Sequence, residues 1–257
     1  MKRRGFLLGG ATFVLAMPRL VRAQEKKLRI AYPDKSPPNS WIAADNHVQG
    51  VTVDLMAEVA KTTGYAFLPI ALPLPRVQLE VESGEVDGMC LVVTPARLRY
   101  AVASQEPLTS GPVTMFVRRD NPALARLREV RSLDDLAKAD VTVVTITGNG
   151  WIKQNVESRG IRTEHASGTT GTVRLLLRGR GDVIVDMSSQ INWILKTLPE
   201  AEEIVELPTP MANVDWNLLT SKRSPAVESM TAFDTAIRQL KATPRYEEIL
   251  RKYGMRA

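Results

Sequence analysis

The chain alternates between two hydrophobic rhythms, and the switches between them predict its elements. From Lys27 charged and apolar residues take turns until Ile30-Ala31-Tyr32, the period of a first strand. From Val51 the spacing changes. Val53, Leu55, Met56, Val59 and Ala60 fall on one face of a helix, Asp54 and Glu58 lie toward its start, and Gly64 is placed to cap its end. Ala66 to Leu72 predicts a second strand. Leu74-Pro75-Arg76 opens another helix that continues through Val77, Leu79 and Val81 to Gly84, and Met89 to Val93 is a short buried strand. Strand, helix, strand, helix, strand implies parallel strands joined by right-handed crossovers, hence an α/β class. Tyr100 to Pro107 continues this unit, and Pro112 to Arg118 is an extended run able to leave it.

The pattern then repeats in kind, though not in sequence. Ser132-Leu-Asp-Asp-Leu is a helix start with Ser as cap and acids in the first turn. Val141 to Ile146 is a β-branched strand running into Thr147-Gly148-Asn149-Gly150-Trp151. The polar turn Ser167 to Thr172 precedes a helix bearing Val173, Leu175, Leu176 and Leu177, and Val183-Ile-Val185 is a buried strand that delivers Asp186. The prolines of Leu207-Pro-Thr-Pro-Met-Ala-Asn-Val-Asp215 suit a crossing segment rather than a central strand. A strand over Trp216 to Thr220 follows. Val227, Met230, Phe233, Ile237 and Leu240 trace one helical stripe, and Tyr246, Ile249, Leu250 and Tyr253 a shorter one. No internal repeat, low-complexity tract or heptad run is present.

Charge changes the picture only after the first 23 residues are set aside. Lys2-Arg3-Arg4, Gly5-Phe6-Leu7-Leu8, an apolar run to Met17, Pro18 and Val21-Arg22-Ala23 have the build of an export signal, with adjacent arginines like those of the twin-arginine type. Its apolar part is too short for a permanent span. Without this leader the 34 basic and 28 acidic residues become 29 and 28, so the high pI no longer argues for nucleic acid or anionic membrane. The rest is long enough for one large or two modest domains. Cys90 is the single cysteine, which excludes an intramolecular disulfide, and its apolar strand makes it a core residue.

Candidate chemistry gathers at the carboxyl ends of strands, where ligands sit in open α/β sheets. Arg97 in the loop Thr94-Pro-Ala-Arg offers a planar fork of donors suited to a carboxylate or phosphate. The turn holding Thr147 and Asn149 opens a helix whose N-terminus can bind an anion, or is a glycine turn with no ligand. Asp186 at the end of an apolar strand needs a partner to offset desolvation, either a cationic ligand or a neighbouring Arg. Tyr32 and Trp41 flank a Pro-stiffened loop that walls a cleft or packs on itself, the segment between them refusing helix and strand alike. Arg76 at a helix start is a second anion contact or a solvated charge. With only His47 and His165, neither in ligand spacing, and no nucleophile motif, zinc and hydrolytic chemistry have little footing. Gly148-Asn-Gly150 does not extend to a dinucleotide fingerprint, and no cofactor is expected.

Gly50-Val-Thr-Val-Asp-Leu-Met-Ala-Glu-Val-Ala60, Ser83-Gly-Glu-Val-Asp87, Thr94-Pro-Ala-Arg97 and Tyr100-Ala-Val-Ala-Ser-Gln-Glu-Pro107, in this order, resemble the extracytoplasmic solute-binding proteins, family 3, that bind polar amino acids for ABC importers. The resemblance implies a type II periplasmic binding protein fold: two α/β lobes, each a mainly parallel sheet flanked by helices, joined by two crossing strands. It divides the chain into a signal over residues 1–23, a discontinuous first lobe over 24–117 and 214–257, and a second lobe over 118–213. It implies that Arg97 and Thr94 hold a ligand carboxylate, that Thr147 and Asn149 cap it from the second lobe, and that Asp186 pairs with an amino group. Met89-Cys-Leu-Val-Val93 departs from the family by offering no hydroxyl on the amine side. The expectation is a periplasmic, monomeric, non-enzymatic protein that closes on a small carboxylate-bearing ligand and passes it to an ABC permease. The alternatives are a sensor for a membrane receptor and a cyclohexadienyl dehydratase-like enzyme.

Overall fold

The computed structural model of the chain describes residues 26–256, so the export signal expected over residues 1–23 lies outside the described residues. In chain order the first elements are β1 (Lys27–Pro33), β2 (Lys35–Ser36), β3 (Ser40–Ile42), β4 (Val48–Gln49), α1 (Val51–Thr63), β5 (Ala66–Leu72), α2 (Leu74–Ser83), β6 (Gly88–Val92), α3 (Pro95–Leu98) and β7 (Ala101–Ala103). After β8 (Thr109–Arg118) come α4 (Leu124–Leu127), α5 (Leu133–Lys138), β9 (Thr142–Ile146), α6 (Gly150–Asn155), β10 (Arg162–Ala166), α7 (Thr169–Leu177), β11 (Val183–Met187) and α8 (Ser188–Leu195). The long β12 (Ile204–Ser221), α9 (Met230–Lys241) and α10 (Pro244–Lys252) complete the chain.

The caps follow the local chemistry. Gly64 and Gly84 end α1 and α2 in the left-handed region, at φ 74° and 85°, which costs glycine no Cβ clash. Ser132 accepts from the Asp135 N–H and starts α5 where its sequence predicts. The loop between Pro33 and Gly50 differs from expectation. Instead of lacking regular structure it folds into a small antiparallel sheet of β2, β3 and β4, pinned by the Ser40 hydroxyl donating to the Pro33 carbonyl.

One sheet runs through the molecule in the order β10-β9-β11-β8-β12-β6-β1-β5, with β7 beside β12. At one end β1 pairs in parallel with β5 and β6; at the other, β9 pairs in parallel with β10 and β11. Between them β8 and β12 run antiparallel over their length, so two chain segments cross from one lobe to the other. The register of β12 against β8 slips between Leu207 and Ala212, and Pro208 to Met211 forms the excursion. Proline lacks an N–H for the ladder, so the irregularity falls where two prolines make regular pairing unavailable.

Both faces of the inner parallel strands β1, β6, β9 and β11 are covered, and alternation assigns side chains to them. Ile30 and Tyr32 point into a core shared with α1, α9 and α10, among Leu55, Phe233 and Tyr246; Ala31, Met89 and Leu91 point to the opposite face, a core continuous with Val143 and Val185 of the other lobe. A third core beneath α7 and α8 packs Phe116, Val144 and Ile184. Asp87 ties β1 to the sheet by accepting from the backbone and guanidinium of Arg29 and from the Ser224 hydroxyl.

Candidate functional site

Arg97 enters the interlobe space because Thr94 and Pro95 set the start of α3. The Thr94 oxygen accepts from the Arg97 N–H at 3.3 Å, and proline supplies the fixed φ of a first helical turn. The guanidinium is then gripped from behind. Its Nη1 donates to the Val92 carbonyl at 2.5 Å and its Nε to Gln78 Oε1 at 3.2 Å, while Gln78 Nε2 donates across the cleft to the Gly148 carbonyl at 3.2 Å. Nη2 lies against Gly150, where a Cβ would stand 3.3 Å from it, so glycine there lets the cation approach the start of α6. Arg97 is 3% exposed, and burial lowers its pKa to about 10. No acid among the described residues forms an ion pair with it, so it is a fixed cation without an internal counter-charge.

Asp186 arrives from the other lobe at the end of β11, opposite Thr114 of β8. Its Oδ1 accepts the Met187 N–H at 2.7 Å, and burial pushes its pKa up to about 6. No cation among the described residues pairs with it either. Arg97 and Asp186 line one cavity of about 530 Å³ of atom-free space. Its other walls are mostly apolar, from Leu74 and Leu91 to Val113, Ile146 and Val214, with the indoles of Trp151 and Trp216 and the neutral polar Ser36, Asn149 and Gln190.

The remaining sequence candidates divide. Asn149 lines the cavity, but its Oδ1 accepts from the N–H groups of Trp151 and Ile152 at 3.1 Å each, so it caps α6 with donors that were expected to meet an anion. Thr94 is buried behind Arg97 as its cap and borders a neighbouring recess rather than this cavity. Thr147 borders the same recess; its N–H is taken by the Ala166 carbonyl at 2.9 Å. Tyr32 is corrected to a core residue: strand alternation turns it to the opposite face, fully buried, edge-on to Phe67. Trp41 is outside the cavity too. It packs on Trp193 of α8 and on Tyr253, with ring centroids 5.8 and 5.9 Å apart, and so joins the two lobes. Arg76 is exposed and paired with Glu80 one helical turn on, the solvated alternative. Cys90 is buried, its thiol pushed up to about 12 by desolvation.

Sequence reasoning missed Gln78, Trp151, Trp216, Gln190 and Ser36. The indoles read as strand or helix apolar positions, and Gln78 as one polar residue on an amphipathic helix. For Gln190 a signal existed in its place, four residues beyond Asp186 on the first turn of the helix that follows.

A family model of bacterial extracellular solute-binding proteins, family 3, matches residues 28–256. No curated protein matches the chain significantly. Among solved structures, a histidine kinase sensor domain with similarity to periplasmic binding proteins superposes with a TM-score of 0.78 at 19% identity, over 92% of this chain and 100% of the other. An ancestral arginine-binding protein bound to arginine gives 0.73 at 18% identity, over 90% and 99%. The ancestral amino acid-binding protein AncCDT-1, a precursor of cyclohexadienyl dehydratase, gives 0.70 at 18%, over 88% and 95%. At these identities the likeness shows the fold, and the two-lobed architecture expected from the sequence is the one found.

Proposed function

The chain belongs to the bacterial extracellular solute-binding proteins, family 3, and from that premise we propose that it is an extracytoplasmic receptor for an α-amino acid, held with its carboxylate at Arg97 and its ammonium at Asp186. One observation carries the reading: a buried cation and a part-buried carboxyl from opposite lobes line one cavity, and neither has a counter-charge among the described residues. A buried charge without a counter-charge is costly, and a zwitterion supplies both counter-charges in one molecule. Because the two charges come from different lobes, the ligand stabilises the closed arrangement by contacts that an open one lacks. The membrane partner that reads this state is an ABC permease, with a sensor receptor as the alternative that the histidine kinase sensor relative keeps in view. A dehydratase reading would use Asp186 as its acid. It is supported less, since Asp186 is the one carboxyl lining the cavity and no histidine joins it.

Isothermal calorimetry on the processed protein tests the reading. Free amino acids should bind, the matching acids without an amino group should bind more weakly, and Arg97→Ala should lower amino-acid affinity at least about 30-fold. Unchanged affinity in Arg97→Ala would remove Arg97 from the site and with it the proposal.

A further inference from the structure

We propose that the site selects amino acids whose side chains are uncharged, because nothing at its side-chain end carries a charge and Gln190 offers only a neutral polar contact there. The inference rests on the amino-acid reading above and concerns the part of the ligand that Arg97 and Asp186 do not explain. After those two, no charged residue among the described residues lines the cavity. A ligand with a charged side chain would bring a third charge into walls made of Leu74, Leu91, Val113, Ile146 and two indoles, which offer it no counter-charge to offset its desolvation.

The uncharged polar groups in the cavity point the same way. Gln190 is 3% exposed and Ser36 4%, both line the cavity, and neither side chain makes a hydrogen bond with any described residue. The Gln190 amide is reached from the cavity and has no partner among the described residues, so it is open to a ligand atom. It is fixed in place by α8, whose first turn begins directly after Asp186 and Met187. An amide donates and accepts but cannot neutralise, so it tolerates an uncharged side chain and gives no counter-charge to an ammonium, guanidinium or carboxylate end. Trp216 does not compete for this role, because its indole N–H is already directed at the Met187 sulfur at 2.7 Å. Apolar walls with two neutral polar groups, Gln190 and Ser36, therefore describe the side-chain end of the site. Opposite charges with no partners describe its backbone end.

Calorimetry with leucine, phenylalanine, glutamine, arginine, lysine and glutamate against the wild type and Gln190→Glu tests this. In the wild type the uncharged members should bind at least about 100-fold more tightly than arginine, lysine and glutamate. Gln190→Glu places a carboxylate where the amide was and should move the arginine-to-leucine affinity ratio toward arginine by at least about 10-fold. Gln190→Leu serves as the neutral control; it should keep discrimination against the charged members. The inference is overturned alone if arginine, lysine or glutamate binds tightest while Arg97→Ala still abolishes binding, or if Gln190→Glu leaves the ratio unmoved with its melting temperature intact. If no member binds, the amino-acid reading falls together with it.

Discussion

Asp186 shows how one side chain couples binding to stability. Burial holds its pKa near 6, against 3.8 for the free carboxyl. Between those values the ligand-free folded state binds more protons than the unfolded chain, so stability falls as pH rises through the window and stays reduced above it. Asp186→Asn removes the buried charge and should stabilise the ligand-free protein by about 2–3 kcal/mol at pH 7.5, a difference that disappears by about pH 4, as urea titrations at the two pH values would show. An equal gain at both would mean that packing rather than ionisation is responsible. Asp186 and Arg97 could be singled out as candidates in the sequence for one reason: each stands at the carboxyl end of an apolar strand, Asp186 in the last residues of β11 and Arg97 in the short α3 that follows β6. The residues misread failed for reasons that lie across the chain. Tyr32 was offered as a cleft wall, but only the pairing of β1 with β5 and β6 shows which face its parity selects. Thr147 looked like an anion donor until β10 placed the Ala166 carbonyl on its N–H. Gln190 and Trp216 look ordinary in sequence, because an unpaired amide and a wall-forming indole are defined by neighbours from other elements.

At the scale of elements, strand and helix order up to β6 followed from hydrophobic period and the second crossing from its prolines, whereas β10 and α8 of the second half were not foreseen. Period fails where elements are short, which is why β2, β3 and β4 were not foreseen. The two crossings also bear on where the lobes divide. Val113 to Val117 of β8 pair with β11, so we propose that the first crossing lies at Pro112, ahead of the division at 117/118 expected from sequence. The second crossing would lie at Asn213, its partner in register. Across the cleft, the turn before α7 meets β2 backbone to backbone. A Cβ on Gly168 would lie 2.5 Å from the Lys35 Cβ and 2.8 Å from its carbonyl oxygen. Neither atom is the free end of a flexible chain, so the lobes themselves must part to admit a methyl group. Gly168 is in extended backbone that alanine adopts without strain, at φ 169°. Gly168→Ala should therefore leave the ligand-free melting temperature within a few degrees while weakening amino-acid affinity about 10-fold or more. A lower melting temperature with affinity unchanged would place the effect inside one lobe.

For the whole molecule, a continuous sheet, two crossings and three cores yield two lobes pressed together on one cavity. The contacts between them include a hydrogen bond from Gln78 to Gly148, the Trp216 indole N–H on the Met187 sulfur, the close approaches of Gly168 to Lys35 and of Gly150 to Arg97, and the rings of Trp41, Trp193 and Tyr253. None neutralises Arg97 or Asp186, so closure without a ligand leaves two uncompensated charges in a small space, and closure around a zwitterion leaves none. On the proposed reading, charge compensation decides which arrangement is populated. Small-angle scattering on the ligand-free protein, repeated with the amino acid that binds tightest by calorimetry, tests this most directly. The radius of gyration should fall on saturation in the wild type and stay unchanged in Arg97→Ala at the same ligand concentration. A wild-type radius that does not change while calorimetry shows the site filled would contradict closure around the bound amino acid.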